Sequence, residues 1–135
     1  MQQYLNIPST YNSRWKLMAT HNTTGKFGET LGTAYLRRLG YRVIEMNWRY
    51  SRAEVDLIAE KNGVLHFLEI KTRRTKKFGL PEEKVGKKKI QNLIIAAEQY
   101  VYLNPEWNRI QFDILAILMI RDQPIDYFLI EDVYI

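Results

Sequence analysis

The segment Lys61-Asn62-Gly63-Val64 constrains the fold of this chain more than any other part of its sequence. Asn-Gly between two strand-like runs is the strongest short signal for a β-hairpin, because both residues accept the positive φ angles of a two-residue type I′ turn. Apolar and polar residues alternate on both sides of it, in residues 53–60 and 64–72, as they do in half-buried strands. The sequence therefore predicts an antiparallel hairpin whose register is set by the turn.

That register brings four charged side chains together. Continuing the pairing outward from the turn places Asp56 opposite Glu69. Two residues further out, it places Glu54 opposite Lys71. Opposed residues of an antiparallel pair point the same way, so all four are predicted to share one face. The other face is expected to carry apolar side chains, namely Val55, Leu57, Leu68 and Ile70.

Two carboxylates at this spacing predict a cation site. Directly opposed Cβ atoms lie about 5 Å apart, where two like charges destabilise a sheet unless they share a proton or bind a cation. Oxygen ligands without histidine or cysteine suit a hard cation, so Asp56 and Glu69 predict Mg²⁺ or Mn²⁺ rather than zinc. Lys71 lies two residues from Glu69 on the same face, where it can hold an attacking water or stabilise charge on a phosphate.

The alternative is that these charges face solvent on an amphipathic hairpin, with Glu54 and Lys71 as a surface ion pair. Ile58 and Phe67 argue against it, because they share the predicted charged face. Their presence indicates that both faces of the hairpin are covered, as in a sheet between helices. Buried charges are costly unless they are paired or bind a metal.

The rest of the chain predicts two helices and three further strands. Apolar residues at helical spacing, with a cap at Thr23 or Thr24 and an end at Gly40, predict the first helix. A second helix is predicted from about Glu83 to Leu103. The additional strands are predicted at residues 41–50, 109–120 and 125–130.

The predicted element order is therefore α-β-β-β-α-β-β, an α/β fold. Residues 1–20 show no clear period and are predicted to form an irregular N-terminal arm. We expect a single domain over residues 21–135, because no linker or repeat divides the chain.

The composition excludes several classes of protein. The chain has no cysteine, so neither disulfides nor thiolate metal sites can form. Its longest apolar run, Ile114 to Ile120, has seven residues, whereas a membrane helix needs about twenty. We therefore expect a soluble, cytoplasmic protein with no membrane partner.

His66 lies among apolar neighbours and is interpreted as a packed core histidine rather than a metal ligand.

An excess of basic charge points to an anionic partner. The net charge is +5, and between Lys71 and Lys89 there are nine basic residues against two acidic ones. Such a patch is the footprint expected for contacts with nucleic-acid phosphates, although a merely solvated loop and helix face remains an open alternative. The candidates for nucleic-acid contact are Arg73, Arg74, Lys76, Lys77, Lys87, Lys88 and Lys89.

Several motifs resemble the YraN family of uncharacterised bacterial proteins, and the resemblance covers roughly residues 24–120. The principal motifs are Gly25-Lys26-Phe27-Gly28-Glu29, Asn47-Trp48-Arg49, Glu54-Val55-Asp56-Leu57-Ile58, Phe67-Leu68-Glu69-Ile70-Lys71-Thr72-Arg73 and Phe112-Asp113. That family resembles the restriction-endonuclease-like superfamily with the PD-(D/E)xK signature, and especially its Holliday-junction-resolvase branch. The resemblance implies a restriction-endonuclease-like core, with a mixed central β-sheet flanked by helices. Val55 stands where that signature has proline.

The resemblance also implies roles for individual residues. Glu29 would be a helix-borne acid, Asp56 the central metal ligand and Glu69 the second ligand. The backbone carbonyl of Ile70 would join them around Mg²⁺ or Mn²⁺, and Lys71 would be the catalytic lysine. The expected function is a metal-dependent phosphodiesterase, an endonuclease of branched or otherwise structured DNA. A symmetric junction would favour a homodimer.

Two other functions fit the same sequence. One is a non-catalytic nucleic-acid-binding module that retains the nuclease-like fold; it predicts salt-sensitive binding without metal-dependent cleavage. The other is a protein-interaction adaptor that uses exposed aromatic residues such as Trp15 and Trp107; it predicts no affinity for nucleic acid at moderate salt.

Overall fold

A mixed β-sheet between two helices forms the framework of the protein. The computed structural model describes residues 2–5, 21–74 and 86–133. Their elements are β1 (Gln2–Leu5), α1 (His21–Arg38), β2 (Arg42–Tyr50), β3 (Ala53–Lys61), β4 (Val64–Arg73), α2 (Lys87–Leu103), β5 (Ile110–Leu118) and β6 (Ile125–Ile130).

The sheet has the strand order β1-β6-β5-β4-β3-β2. Strands β4 and β5 are parallel, and the other neighbouring pairs are antiparallel. A parallel pair needs a long crossover, and α2 lies in the segment that joins these two strands. From α1 onward, this architecture confirms the predicted α/β fold and the order α-β-β-β-α-β-β.

The first strand corrects the prediction for part of the N-terminal arm. Gln2–Leu5 is not irregular but pairs antiparallel with β6, with Gln2 opposite Phe128. A four-residue segment carries too little pattern to predict a strand, and its backbone order comes from hydrogen bonds to a strand more than 100 residues away. The remainder of the predicted arm, residue 1 and residues 6–20, lies outside the described residues.

The helix boundaries differ modestly from those predicted. Helix α1 begins at His21, two residues before the first predicted cap, and Gly40 follows its end with a φ of 96°. Helix α2 begins at Lys87 rather than near Glu83, because Gly86 is extended and acts as its N-cap. Residues 75–85 are outside the described range. Among the described residues, neither helix is long and apolar enough to cross a membrane.

The hairpin forms with the predicted register. Asn62 has a φ of 53° and Gly63 a φ of 80°, as a type I′ turn requires at both positions. Backbone pairs run from Lys61 opposite Val64 outward to Leu57 opposite Leu68. The carboxylate of Glu60 also accepts a hydrogen bond from the Gly63 N–H at 3.0 Å.

Replacing Gly63 by alanine is expected to destabilise the protein by roughly 1 kcal/mol, because an L side chain disfavours positive φ. Nothing lies within 4 Å of the added Cβ, so the effect would come from the backbone and not from a clash. Urea denaturation measures it. Asn62→Gly is the control, and it is expected to change the unfolding free energy by only a few tenths of a kcal/mol. If Gly63→Ala had the same denaturation midpoint as the original protein, the turn assignment would be contradicted.

Each face of the sheet packs against one helix. The α1-side core contains Leu31, Tyr35, Leu36, Leu57, Ala59, Leu68, Ile70, Leu115 and Ile117, among others. The α2-side core contains Ala53, Val55, Ile58, Leu65, Phe67, Leu93, Ala96, Ala97 and Tyr100. Coverage of both faces explains why the strands carry nearly continuous apolar runs.

The alternation of β3 changes at Asp56. Val55 was predicted to share a face with Leu57, but it packs in the α2-side core, whereas Leu57 packs in the α1-side core. Regular strands place residues i and i+2 on the same face, so the strand is irregular between them. On neighbouring β2, Asn47 has a left-handed φ of 53°. The irregularity coincides with the predicted site.

Candidate active site

The ladder between β3 and β4 is replaced by a side-chain contact at Asp56. The last backbone pair of these two strands is Leu57 opposite Leu68. Beyond it, Asp56 Oδ2 accepts a hydrogen bond from the Ile70 N–H at 2.8 Å. The Asp56 carboxylate is thus held against β4, at the position where the two backbones stop pairing.

Asp56 and Glu69 meet at this end of the sheet, in one buried acidic pair. Glu69 is 5% exposed, and its Oε2 is buried without a hydrogen-bond partner among the described residues. Burial, reinforced by the charge of Asp56, raises the pKa of Glu69 to about 8. Burial also raises the pKa of Asp56, against the lowering effect of the Ile70 N–H. The pair therefore retains a proton near neutral pH.

Glu29 reaches the rim of the pair from α1. Its Oε2 accepts a hydrogen bond of 3.5 Å from the Asn47 side-chain amide. Burial, followed by the charge of Asp56, raises the pKa of Glu29. Across residues 2–5, 21–74 and 86–133, however, no three His, Asp or Glu side chains form a ready metal-binding group. Glu29 therefore stands beside the Asp56–Glu69 pair rather than in contact with both carboxylates.

Two glycines set the position of Glu29 by allowing α1 to approach the sheet closely. A Cβ on Gly28 would lie 2.1 Å from Thr72 Cγ2, on the strand that carries Glu69. A Cβ on Gly32, one turn later, would lie 3.1 Å from Leu115 Cδ2. With glycine at both positions the helix backbone rests directly on β4 and β5.

Lys71 lies next to the pair without neutralising it through an ion pair. Burial, followed by the charge of Arg73, lowers the pKa of Lys71, while Glu69 and Asp56 raise it. Glu54 does not form the alternative pair with Lys71; it binds Arg49 on β2 at 2.9 Å. Among the described carboxylates, none lies within ion-pair distance of the Lys71 ammonium.

Lys89 is a site residue that the sequence analysis placed elsewhere. It was assigned to phosphate contact with its neighbours, but its Nζ lies 3.2 Å from Glu69 Oε1. Asp56 also attracts its charge. A helical wheel contains the missed signal, because Lys89 is four residues before the buried Leu93 and so shares the inward face of α2.

The other predicted nucleic-acid contacts are distributed around this site. Lys87 and Lys88 are exposed in the first turn of α2. Arg73 and Arg74 follow Lys71 at the end of β4, where the Arg73 guanidinium donates a hydrogen bond to the Thr72 carbonyl at 3.2 Å. Lys76 and Lys77 lie outside the described residues.

His66 is a core histidine, as predicted. It is 4% exposed, and its Nδ1 lies 2.6 Å from Asp113 Oδ2. The other oxygen of Asp113 accepts hydrogen bonds from the Gln111 amide and from the Asp132 N–H, both at 2.9 Å. The pair therefore ties the segment after β6 to the start of β5. Trp107, named for the adaptor function, is partly buried against the α2-side core, and Trp15 is outside the described residues.

The fold and this site define an α/β protein with a mixed sheet between helices and a buried carboxylate pair, flanked by two lysines, where β3 and β4 part. The chain belongs to Uncharacterised protein family UPF0102, whose sequence profile matches residues 28–117. This confirms the family indicated by the motifs. The matched segment contains Glu29, Asp56, Glu69, Lys71 and Lys89.

Individual relatives show how far the similarity extends. A UPF0102 protein of Flavobacterium psychrophilum is 42% identical over 106 residues, which cover 78% of this chain and 89% of that protein. A UPF0102 protein of Christiangramia forsetii is 45% identical over 101 residues, covering 75% of this chain and 85% of the relative. A third, from Chlorobium phaeobacteroides, is 43% identical over 93 residues, covering 68% and 73%.

Proposed function

We propose that this protein is a metal-dependent phosphodiesterase of nucleic acid, an endonuclease that acts on branched or otherwise structured DNA. The observation that carries the proposal is the burial of Asp56 against Glu69 with Lys71 beside them. Two adjacent buried carboxylates destabilise a fold, and a bound cation would offset that destabilisation. Cation binding is therefore the physical reason for their presence.

The donor set suits a hard divalent cation such as Mg²⁺ or Mn²⁺. Glu69 Oε2 is buried and lacks a hydrogen-bond donor among the described residues, so one carboxylate oxygen is available. The N–H and C=O of one residue in an extended strand point to the same neighbouring strand. Since the Ile70 N–H points to Asp56, the Ile70 carbonyl faces the same side of β4 and would be a third oxygen ligand. A bound cation would activate water and neutralise charge developing on a phosphate.

The remaining residues then have distinct tasks. Lys71 supplies a positive charge at the edge of the carboxylate pair, where it orients a water molecule or stabilises the negative charge that develops on the phosphate. Its pKa is lowered by burial, which makes proton transfer near neutral pH easier than for a solvated lysine. Glu29, held by Asn47 at the rim, helps to position the incoming water or the cation.

Nucleic acid would approach over the N-terminus of α2. This helix has no acidic residue in its first turn and begins instead with three lysines. Positive side chains there oppose the helix dipole, an unfavourable arrangement that an anion relieves. Lys87 and Lys88 would bind phosphates, together with Arg73 and Arg74 at the end of β4 and, in the sequence between them, Lys76 and Lys77.

A cleavage assay with matched variants tests the proposal. Purified protein is incubated with four-way-junction, duplex and single-stranded DNA and with RNA, in Mg²⁺, Mn²⁺ or EDTA. We expect metal-dependent cleavage that falls by at least about 100-fold in Asp56→Asn and in Lys71→Met. Lys71→Met is expected to retain metal binding, because it removes no ligand. Glu60→Gln, a partly exposed acid at the other end of β3, is the control and should cleave normally.

Two outcomes would count against catalysis. Cleavage that persists in both variants would place the reaction elsewhere or in a contaminant. Salt-sensitive binding of DNA, unaffected by either variant and without cleavage in any metal, would instead establish the non-catalytic binding module.

A further inference from the structure

We infer that Lys89 is an internal counter-ion of the acidic site, which the divalent cation must displace in order to bind. The inference rests on the proposed function and goes beyond it, because it assigns the control of metal loading to a lysine on α2. It rests on the ion pair between Lys89 and Glu69, in which the Glu69 side chain is buried and the Lys89 side chain is free to move.

The ion pair joins a fixed carboxylate to a movable ammonium. The side chain of Glu69 is 7% exposed and that of Lys89 is 54% exposed, while their charged atoms lie 3.2 Å apart. Glu69 belongs to β4, which pairs with strands on both sides. Lys89 lies in the first turn of α2 on a flexible stem. Any exchange of partner therefore moves the lysine.

The ammonium stands where a cation would be held. Asp56 and Glu69 both attract Lys89, so it partly neutralises the same two carboxylates that would ligate the metal. A divalent ion binds carboxylate oxygens at about 2.0–2.6 Å. An ammonium at 3.2 Å from one oxygen of Glu69 would then be only a few ångströms from that ion, and the two positive charges would repel each other.

Displacement gives Lys89 a second position. On leaving Glu69 the ammonium enters the solvent beside Lys87 and Lys88, at the surface proposed to bind phosphates. Metal binding and phosphate binding would then be coupled, because the ion releases a positive charge toward the nucleic acid. The cavity around the ion pair is lined by the apolar residues Ile90, Leu93 and Phe112 and by Asp113. Both oxygens of Asp113 are already engaged, one by His66 and the other by the Gln111 amide and the Asp132 N–H.

Metal titration of two neighbouring variants tests this inference. Mn²⁺ binding to the whole protein, without DNA, is measured by calorimetry for Lys89→Met and Lys88→Met. Methionine keeps most of the aliphatic stem and removes the charge. We expect Lys89→Met to bind Mn²⁺ about tenfold more tightly than the original protein. Lys88→Met removes the same charge from an exposed position, where screening should limit the change to less than about threefold.

A second measurement keeps the inference testable without metal. Metal-free Lys89→Met is expected to melt at a lower temperature than Lys88→Met at pH 8, because Glu69 loses its counter-charge. If the Mn²⁺ affinity of Lys89→Met equals that of the original protein or of Lys88→Met, Lys89 is not a competitor and the inference fails while the metal site stands. If none of the three proteins binds Mn²⁺, the proposed function itself fails, and the inference fails with it.

Discussion

Glu69→Gln is expected to abolish metal binding and cleavage while making the metal-free protein more stable at pH 8. The carboxylate of Glu69 is buried against Asp56, and burial raises its pKa from the ordinary value of 4.5 to about 8. Glutamine keeps the shape of the side chain and removes the cost of burying a charge. It also removes an anionic ligand that a hard cation requires, so we expect cleavage to fall by at least about 1,000-fold.

The stability that Glu69→Gln gains over the original protein should increase as the pH rises. Between pH 4.5 and about pH 8 the folded protein keeps a proton on Glu69 that the unfolded chain releases. The stability contributed by this group is therefore complete below pH 4.5 and is lost progressively as the pH rises to about 8. Glu69→Gln lacks this titration, so its advantage over the original protein should grow over the same interval to about 2–4 kcal/mol.

Denaturation in urea at several pH values measures the effect. Glu98→Gln removes an acid from the exposed side of α2 and serves as the control, expected to show the same pH dependence as the original protein. A difference between Glu69→Gln and the original protein that does not change with pH would show that Glu69 is not the titrating group. Metal-dependent cleavage by this variant would remove Glu69 from the site.

The second large effect is expected from Gly28→Ala, which should destabilise the protein by about 2 kcal/mol. The new Cβ would lie 2.1 Å from Thr72 Cγ2, so either α1 or β4 must move. Alanine is otherwise more favourable than glycine in a helix by roughly 0.5–1 kcal/mol. The expected loss of stability already includes this gain. Movement of α1 also carries Glu29 away from Asp56, and cleavage should fall with stability.

A double mutant separates this contact from other effects of the substitution. Thr72→Ser removes the methyl group that clashes, and the nearest remaining atom of residue 72 would be Cβ, at 3.3 Å. Gly28→Ala with Thr72→Ser should therefore recover most of the lost stability, with a coupling of about 1–2 kcal/mol. Gly25→Ala, on the same helix with nothing within 4 Å of its Cβ, is the control. Equal losses in the single and double mutants would contradict the close approach of α1.

Short-range signals made the hairpin predictable. Asn62 and Gly63 fix both the turn and the register, which the structure confirms as far as Leu57 opposite Leu68. Beyond that pair a strict alternation would have placed Val55 with Leu57, and this was wrong. The change of face at Asp56 depends on a side-chain hydrogen bond to Ile70, which no local pattern in β3 encodes.

The parts of the site that the sequence did not reveal depend on contacts between distant segments. Lys89 and Glu69 are twenty residues apart, and only the crossover of α2 over the sheet brings them to 3.2 Å. Likewise, the pairing of Gln2–Leu5 depends on β6 and not on its own composition. The family motifs placed Glu29 near Asp56, but its position at the rim depends on how closely Gly28 and Gly32 let α1 approach the sheet.

The irregular course of β2 bears on how two copies of this chain can associate. This strand is at one end of the sheet order, where unpaired backbone groups could recruit a strand from another molecule and start aggregation. Its register shifts between Val43 and Glu45, and Asn47 turns the backbone into the left-handed region. A straight incoming strand would find matching donors and acceptors over only a few residues. Association of two copies through paired β2 strands is therefore disfavoured.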